Sequence, residues 1–192
     1  MVRALVVGGG TIGTRKAIAL VNTGASVHVA APEISEALIA TARLNAALRI
    51  TRVAYSADLI EDAMLIVAAT DDPTVNASVA ADARARARLV NVVSDPALGN
   101  CTTPAVHRAG DLVVAVSAGG VPTAARRIRD FLCSAVDVRY ANAVTILATL
   151  RRRLLDDGQR ERWDAALEAL VGPDFCGQIE SGEFERTASQ WR

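Results

Sequence analysis

The sequence predicts an α/β protein with a doubly wound parallel sheet in its first half and a helical second half. Short β-branched segments alternate with helix-length amphipathic ones through the first half, the order that gives a parallel sheet with helices on both faces. The apolar segments run unbroken, as in Met64–Thr70, which is the pattern of strands covered on both sides. A glycine-rich turn joins the first strand to the first helix.

Taken in order, residues 2–7 form a buried first strand ending at glycine. Residues 12–23 carry Ile12, Ala17, Ile18, Leu20 and Val21 at helical spacing, and Gly24 stops the helix. A second strand over 26–31 is closed by Pro32, with a helix over 33–48 and a short strand over 49–53. Strand 64–70, an Ala-rich helix over 73–86 and strand 89–93 follow. Residues 111–117 supply a further strand before a Gly-Gly turn, and residues after Pro104, His107 among them, read as a loop. From Pro122 the pattern turns helical and Arg-studded to about 154, with an amphipathic helix at 160–171 and a polar tail after Gly172. The shift at 117–122 marks a boundary, so residues 1–117 are the expected nucleotide-binding domain.

Composition narrows the classes of function. The chain has 192 residues, 51% of them hydrophobic and 22% charged, enough apolar material for a packed core. Twenty-one basic residues balance 21 acidic ones, which leaves no excess to neutralise a phosphate backbone, so nucleic acid is not the expected partner. Lys16 is the lone lysine. No apolar run reaches membrane-spanning length, and no secretory signal is read at the N-terminus. The three cysteines form no CxxC pair, which fits free thiols in the reducing cytoplasm.

Gly8, Gly10 and Gly13 satisfy GxGxxG between a strand and a helix. Gly8 allows the tight turn, Gly10 lets the backbone approach a pyrophosphate, and Gly13 permits close helix–strand packing. The helix N-terminus at Thr11 and Ile12 offers unpaired N–H groups to the phosphates. Glu33 stands slightly late for a ribose-binding acid, and it either bonds a ribose or begins a helix. No arginine follows the second strand, which favours NAD over NADP. Thr70 and Asp71 follow the fourth strand, where they either cap the next helix with Pro73 in its first turn or contact the dinucleotide.

GGGTIGTRKAIALVNTGASVHVAAP, AATDDPTVN, NVVSDP and AVSAGG–P–AAR, in this order and spacing, resemble the precorrin-2 dehydrogenase/sirohydrochlorin ferrochelatase family. That family is found alone or as the front part of siroheme synthases, and the resemblance covers about residues 4–130. It implies a Rossmann domain, a dimerisation segment (here 118–145), a helical C-terminal domain (146–192) and a homodimer. It also implies oxidation of precorrin-2 to sirohydrochlorin with NAD+ as hydride acceptor, and in some members Fe2+ insertion. Gly8, Gly10, Thr11 and Ile12 would hold the dinucleotide, with Thr70 and Asp71 by the ribose and nicotinamide.

The chain departs from the family where it matters for catalysis. Ser94 stands where the family carries its favoured catalytic aspartate, and a serine without an adjacent base accepts no proton at neutral pH. Asp95 is next in sequence, but neighbours in extended chain point to opposite sides, so it is either a substitute or a turn residue before Pro96. Metal insertion suffers more from this loss than dehydrogenation. Ser117 remains beside Ala118 as a substrate-binding hydroxyl, and Arg126 is the expected partner for carboxylates of the substrate. His28, Cys101 and His107 make no convincing metal site. The alternatives are a homologue that kept the fold and lost the chemistry, and a nucleotide-sensing regulatory domain of the potassium-channel type. The latter usually keeps an acid after the second strand.

Overall fold

The computed structural model describes residues 2–191 and divides them into two compact units, one ending at Thr103 and one beginning at Pro104. In the first unit, β1 (Arg3–Val7), β2 (Ser26–Ala30), β3 (Leu48–Thr51), β4 (Leu65–Ala68) and β5 (Leu89–Val92) form one parallel sheet in the order β3-β2-β1-β4-β5. Val6 pairs with Val29 on one side and Val67 on the other.

Both faces of this sheet are covered, which is why its strands read as continuous apolar runs. Ala4 and Val6 of β1 face a core built with Ala17 and Val21 of α1 (Thr11–Val21) and Leu38 of α2 (Glu36–Leu44). Leu5 and Val7 face the other way, toward Val79, Ala80 and Ala83 of α3 (Pro73–Ala85) and Ile60 of a short 3-10 turn. The helix expected over 33–48 is shorter, because Ser35 caps it by accepting the Leu38 N–H and it ends at Leu44. Glu33 therefore does not begin a helix.

The second unit opens with a hairpin of β6 (Ala105–Ala109) and β7 (Leu112–Val116), paired antiparallel with His107 opposite Val114. His107 is thus in a strand, not a loop, and the strand expected near 111–117 pairs with β6 rather than joining the parallel sheet. The turn works because Gly110 adopts φ +57°. The helical stretch expected over 122–154 is two helices, α4 (Pro122–Ser134) and α5 (Val138–Asp156), bent by 79°. Asp137 starts the second by accepting the Arg139 N–H at 2.9 Å.

After α6 (Arg160–Leu170), the polar tail folds into α7 (Phe175–Ser181) and α8 (Glu183–Ser189). Their few apolar residues are well placed. Ile179, Phe184 and Ala188 are buried with Leu150, Leu154 and Trp163, and Phe175 meets Phe184 edge-on at 5.6 Å. Among the described residues no single helix is long and apolar enough to cross a membrane.

Candidate functional site

The strand order places β1 at a switch point. The chain steps outward from β1 to β2 and β3, then returns past β1 to β4 and β5. In such sheets a crevice opens at the carboxyl ends of the two central strands. The residues singled out in the first unit gather at this edge.

Gly8 leaves β1 with φ +119°, a conformation strained for any L side chain, and a Cβ there would overlap the Ala69 carbonyl after β4. A Cβ on Gly13 would overlap the Gly8 carbonyl, so α1 approaches β1 only because Gly13 lacks one. Gly10 is different. Its φ of −75° and ψ of −170° suit any residue, and beyond its own chain neighbours no protein atom lies within 4 Å of the place its Cβ would take. Nothing in the fold demands glycine at that position. The N-terminus of α1 above it has no side-chain cap and no acidic residue in its first turn, and Thr11 and Ile12 are exposed. Open space, bare N–H groups and a positive helix end together suit a phosphate-bearing ligand.

The loop after β2 is tied to this turn by residues that sequence reasoning passed over. The Ser35 N–H donates to the Gly9 carbonyl at 3.0 Å, and the hydroxyls of Thr14 and Ser35 meet at 2.7 Å. Glu33 is exposed, with its carbonyl against Gly9. A serine one residue before Glu36 and the helix was the available signal for Ser35.

After β4, the cap of α3 is Asp72, whose Oδ1 accepts the Thr74 and Val75 N–H groups at 2.7 and 3.3 Å. Asp71 is left exposed and Thr70 turns inward. Asn76, 1% exposed, accepts the Thr70 N–H at 3.2 Å and hydroxyl at 2.8 Å, and donates to the Thr70 carbonyl at 2.9 Å and to Ser94 Oγ at 3.2 Å. This amide joins the loops after β4 and β5. The asparagine of AATDDPTVN was visible in the sequence, but its role depends on the strand neighbours.

Ser94 is exposed two residues beyond β5. Asp95 is exposed too, and its Oδ1 accepts the Ala97 N–H at 3.0 Å, so it caps the short 3-10 turn at Pro96. Along the α1 side, Lys16 Nζ donates to Thr103 Oγ1. Burial and then Arg15 push the Lys16 ammonium below its ordinary value, and burial raises the Cys101 thiol against the pull of Lys16. The buried Asn91 donates to the Cys101 carbonyl at 3.1 Å.

His28 is occupied within the sheet. It accepts from Arg49 on Nδ1 at 2.9 Å, which leaves Nε2–H to donate to Thr51 Oγ1 at 2.9 Å. Burial, and then Arg49, lower its pKa from the ordinary histidine value, against the pull of Glu61. In the second unit, Ser117 is exposed just after β7 and Arg126 is exposed on α4. Arg129 instead pairs with Asp130 and reaches the Val106 carbonyl at 3.3 Å. Among the described residues no group of three or more His, Cys, Asp or Glu is placed to hold a metal ion.

A family model described as putative NAD(P)-binding matches residues 1–105. Siroheme synthase of Pseudomonas putida (strain W619) is 43% identical over 96% of the chain and 40% of its own length. That of Saccharophagus degradans is 34% identical over 95% of the chain and 44% of its own length. The chain thus spans less than half the length of these relatives. Among solved structures, "SirC, precorrin-2 dehydrogenase" matches with a TM-score of 0.77 and 28% identity, over 98% of this chain and 94% of that one. The crevice and the family match agree: the chain belongs to the putative NAD(P)-binding family, and it is similar along most of its length to the front parts of siroheme synthases and to a precorrin-2 dehydrogenase.

Proposed function

We propose that the protein oxidises precorrin-2 to sirohydrochlorin with NAD+ in siroheme biosynthesis. The observation that carries this reading is the likeness to a precorrin-2 dehydrogenase along 98% of the chain. The open surface at Gly10 supports it from the residues themselves. NAD+ would supply the hydride acceptor. Gly8, Gly10, Thr11, Ile12 and Gly13 would hold its pyrophosphate, with Glu33 toward one ribose and Thr70 and Asp71 toward the other end. Ser94 and Asp95 would border the substrate, and Ser117 and Arg126 would bind it, the guanidinium matching its carboxylates.

Iron insertion is the weaker activity in this reading. Ser94 brings no carboxylate, and the Asp95 oxygen that caps Ala97 is already engaged. We place the protein in the cytoplasm, where its three free cysteines stay reduced. Residues 118–145 serve as a dimerisation segment in a homodimer, and the exposed Phe131, Ile128 and Leu132 of α4 support that assignment. The dinucleotide-binding domain expected over 1–117 acts through the sheet unit that ends at Thr103, the hairpin lying outside it, and 146–192 act as the helical domain. The test is formation of NADH from purified protein, precorrin-2 and NAD+. Intact NAD+ binding with no turnover would favour the homologue that lost its chemistry.

A further inference from the structure

We propose that Asn76 is a positioning residue that turns Ser94 into an outward hydrogen-bond donor to an oxygen acceptor on a bound ligand. The inference rests on the dehydrogenase reading for the identity of that ligand, and on the hydrogen bonds of one buried amide for everything else.

The orientation of the amide is fixed by the main chain. The Thr70 N–H only donates, so Oδ1 of Asn76 must face it, and the Thr70 carbonyl only accepts, so Nδ2 must face that. Flipping the amide would set donor against donor and acceptor against acceptor at a site 1% exposed. With Nδ2 so placed, its second hydrogen points at Ser94 Oγ, 3.2 Å away. Ser94 therefore accepts from Asn76, and its own hydroxyl hydrogen is directed elsewhere. Both hydrogens of Asn76 go to Thr70 and Ser94, its Oδ1 takes the Thr70 N–H and shares the Thr70 hydroxyl with the Asp72 carbonyl, and at 1% exposure it has nothing left for a ligand.

The Ser94 side chain is exposed at the carboxyl edge of the sheet, where a ligand would meet it. A serine in this state gives a hydrogen bond and takes no proton. Two acceptors carry the right chemistry, the carboxamide oxygen of the cofactor and a carboxylate of the substrate.

The experiment is a double-mutant cycle on the full chain with Ser94→Ala and Asn76→Asp, reading the Kd for NAD+, the KM for precorrin-2 and kcat separately. Asn76→Asp has no N–H for Ser94 or for the Thr70 carbonyl; at this buried position the new carboxyl takes up a proton to meet the carbonyl, and the Ser94 hydroxyl loses the donor that aims it outward. Each single variant is expected to lose about tenfold in one of the binding constants, and the double variant no more than either alone. A loss in NAD+ affinity assigns the acceptor to the cofactor, and a loss in precorrin-2 KM assigns it to the substrate.

Additive losses, or a Ser94→Ala variant that matches the parent in every constant, would overturn the inference. A parent protein that binds NAD+ but does not oxidise precorrin-2 would overturn the dehydrogenase reading instead. The Kd cycle with NAD+, joined by equilibrium binding of sirohydrochlorin, then decides the inference alone.

Discussion

Gly13 lies so close to the carbonyl of Gly8 that a Cβ on it would overlap the oxygen, whereas Gly10, between them in sequence, faces open space. The two positions therefore separate folding from binding. Gly13→Ala forces α1 away from β1 and is expected to cost about 1–3 kcal/mol in a denaturant titration. Gly10→Ala should stay within about 0.5 kcal/mol of the parent, yet weaken NAD+ about tenfold or more, because the methyl group occupies the approach to the pyrophosphate. An unchanged Kd in Gly10→Ala would remove the pyrophosphate from this loop.

The two aspartates after β4 should behave oppositely. Asp72 holds the first N–H groups of α3, so Asp72→Ala should cost about 1 kcal/mol, seen as a lower Tm. Asp71 holds none of those N–H groups and is exposed, so Asp71→Ala should leave the Tm within about 1–2 °C while changing NAD+ affinity. A Tm loss in Asp71→Ala equal to that in Asp72→Ala would put the cap on the wrong residue.

Lys16 gives a pH signature. Its folded-state value lies below the unfolded one, so between the two values the folded protein holds fewer protons and stability rises with pH. The window runs from the lowered folded value up to the ordinary lysine value of 10.5. Urea midpoints of the parent should climb relative to Lys16→Met as pH is raised through it, and parallel curves would count against the burial of the ammonium. The same variant should slow alkylation of Cys101 by iodoacetamide, because Lys16 opposes the burial that raises that thiol.

Ser94→Asp tests the missing carboxylate. Asn76 Nδ2 can donate to a carboxylate as it does to the serine, so the variant should fold like the parent. Iron insertion into sirohydrochlorin should become measurable, while precorrin-2 oxidation should rise by no more than about tenfold. A gain of about a hundredfold or more in oxidation, from a baseline near zero, would mean that the parent chain is catalytically silent.

The glycine turn and the parallel sheet were legible because their signals are local. Val6, Val29 and Val67 each sit in an apolar run, and Gly8 and Gly13 stand at the spacing that close packing requires. The hairpin at His107 was harder, since two of the five residues of Ala105–Ala109 are polar and Pro104 precedes it, although the Gly110-Asp111 turn between two valine-bearing runs was a usable sign. The tail after Gly172 hid its helices because burial there falls on Ile179, Phe184 and Ala188, which are too few to lift the average hydropathy. Asn76 was legible as a letter but not as a link. Its partners lie six and eighteen residues away, and only the pairing of β4 with β5 brings Thr70 and Ser94 to it together.

The amide of Asn76 asks only that position 94 present an oxygen with a free lone pair. Serine and aspartate both do, so the exchange between them leaves the loops where they are. Evolution can therefore add or withdraw a carboxylate at this edge by changing one residue, without disturbing the scaffold. Under the proposed reading, that exchange alone would separate a two-activity enzyme from a single-activity one on the same scaffold.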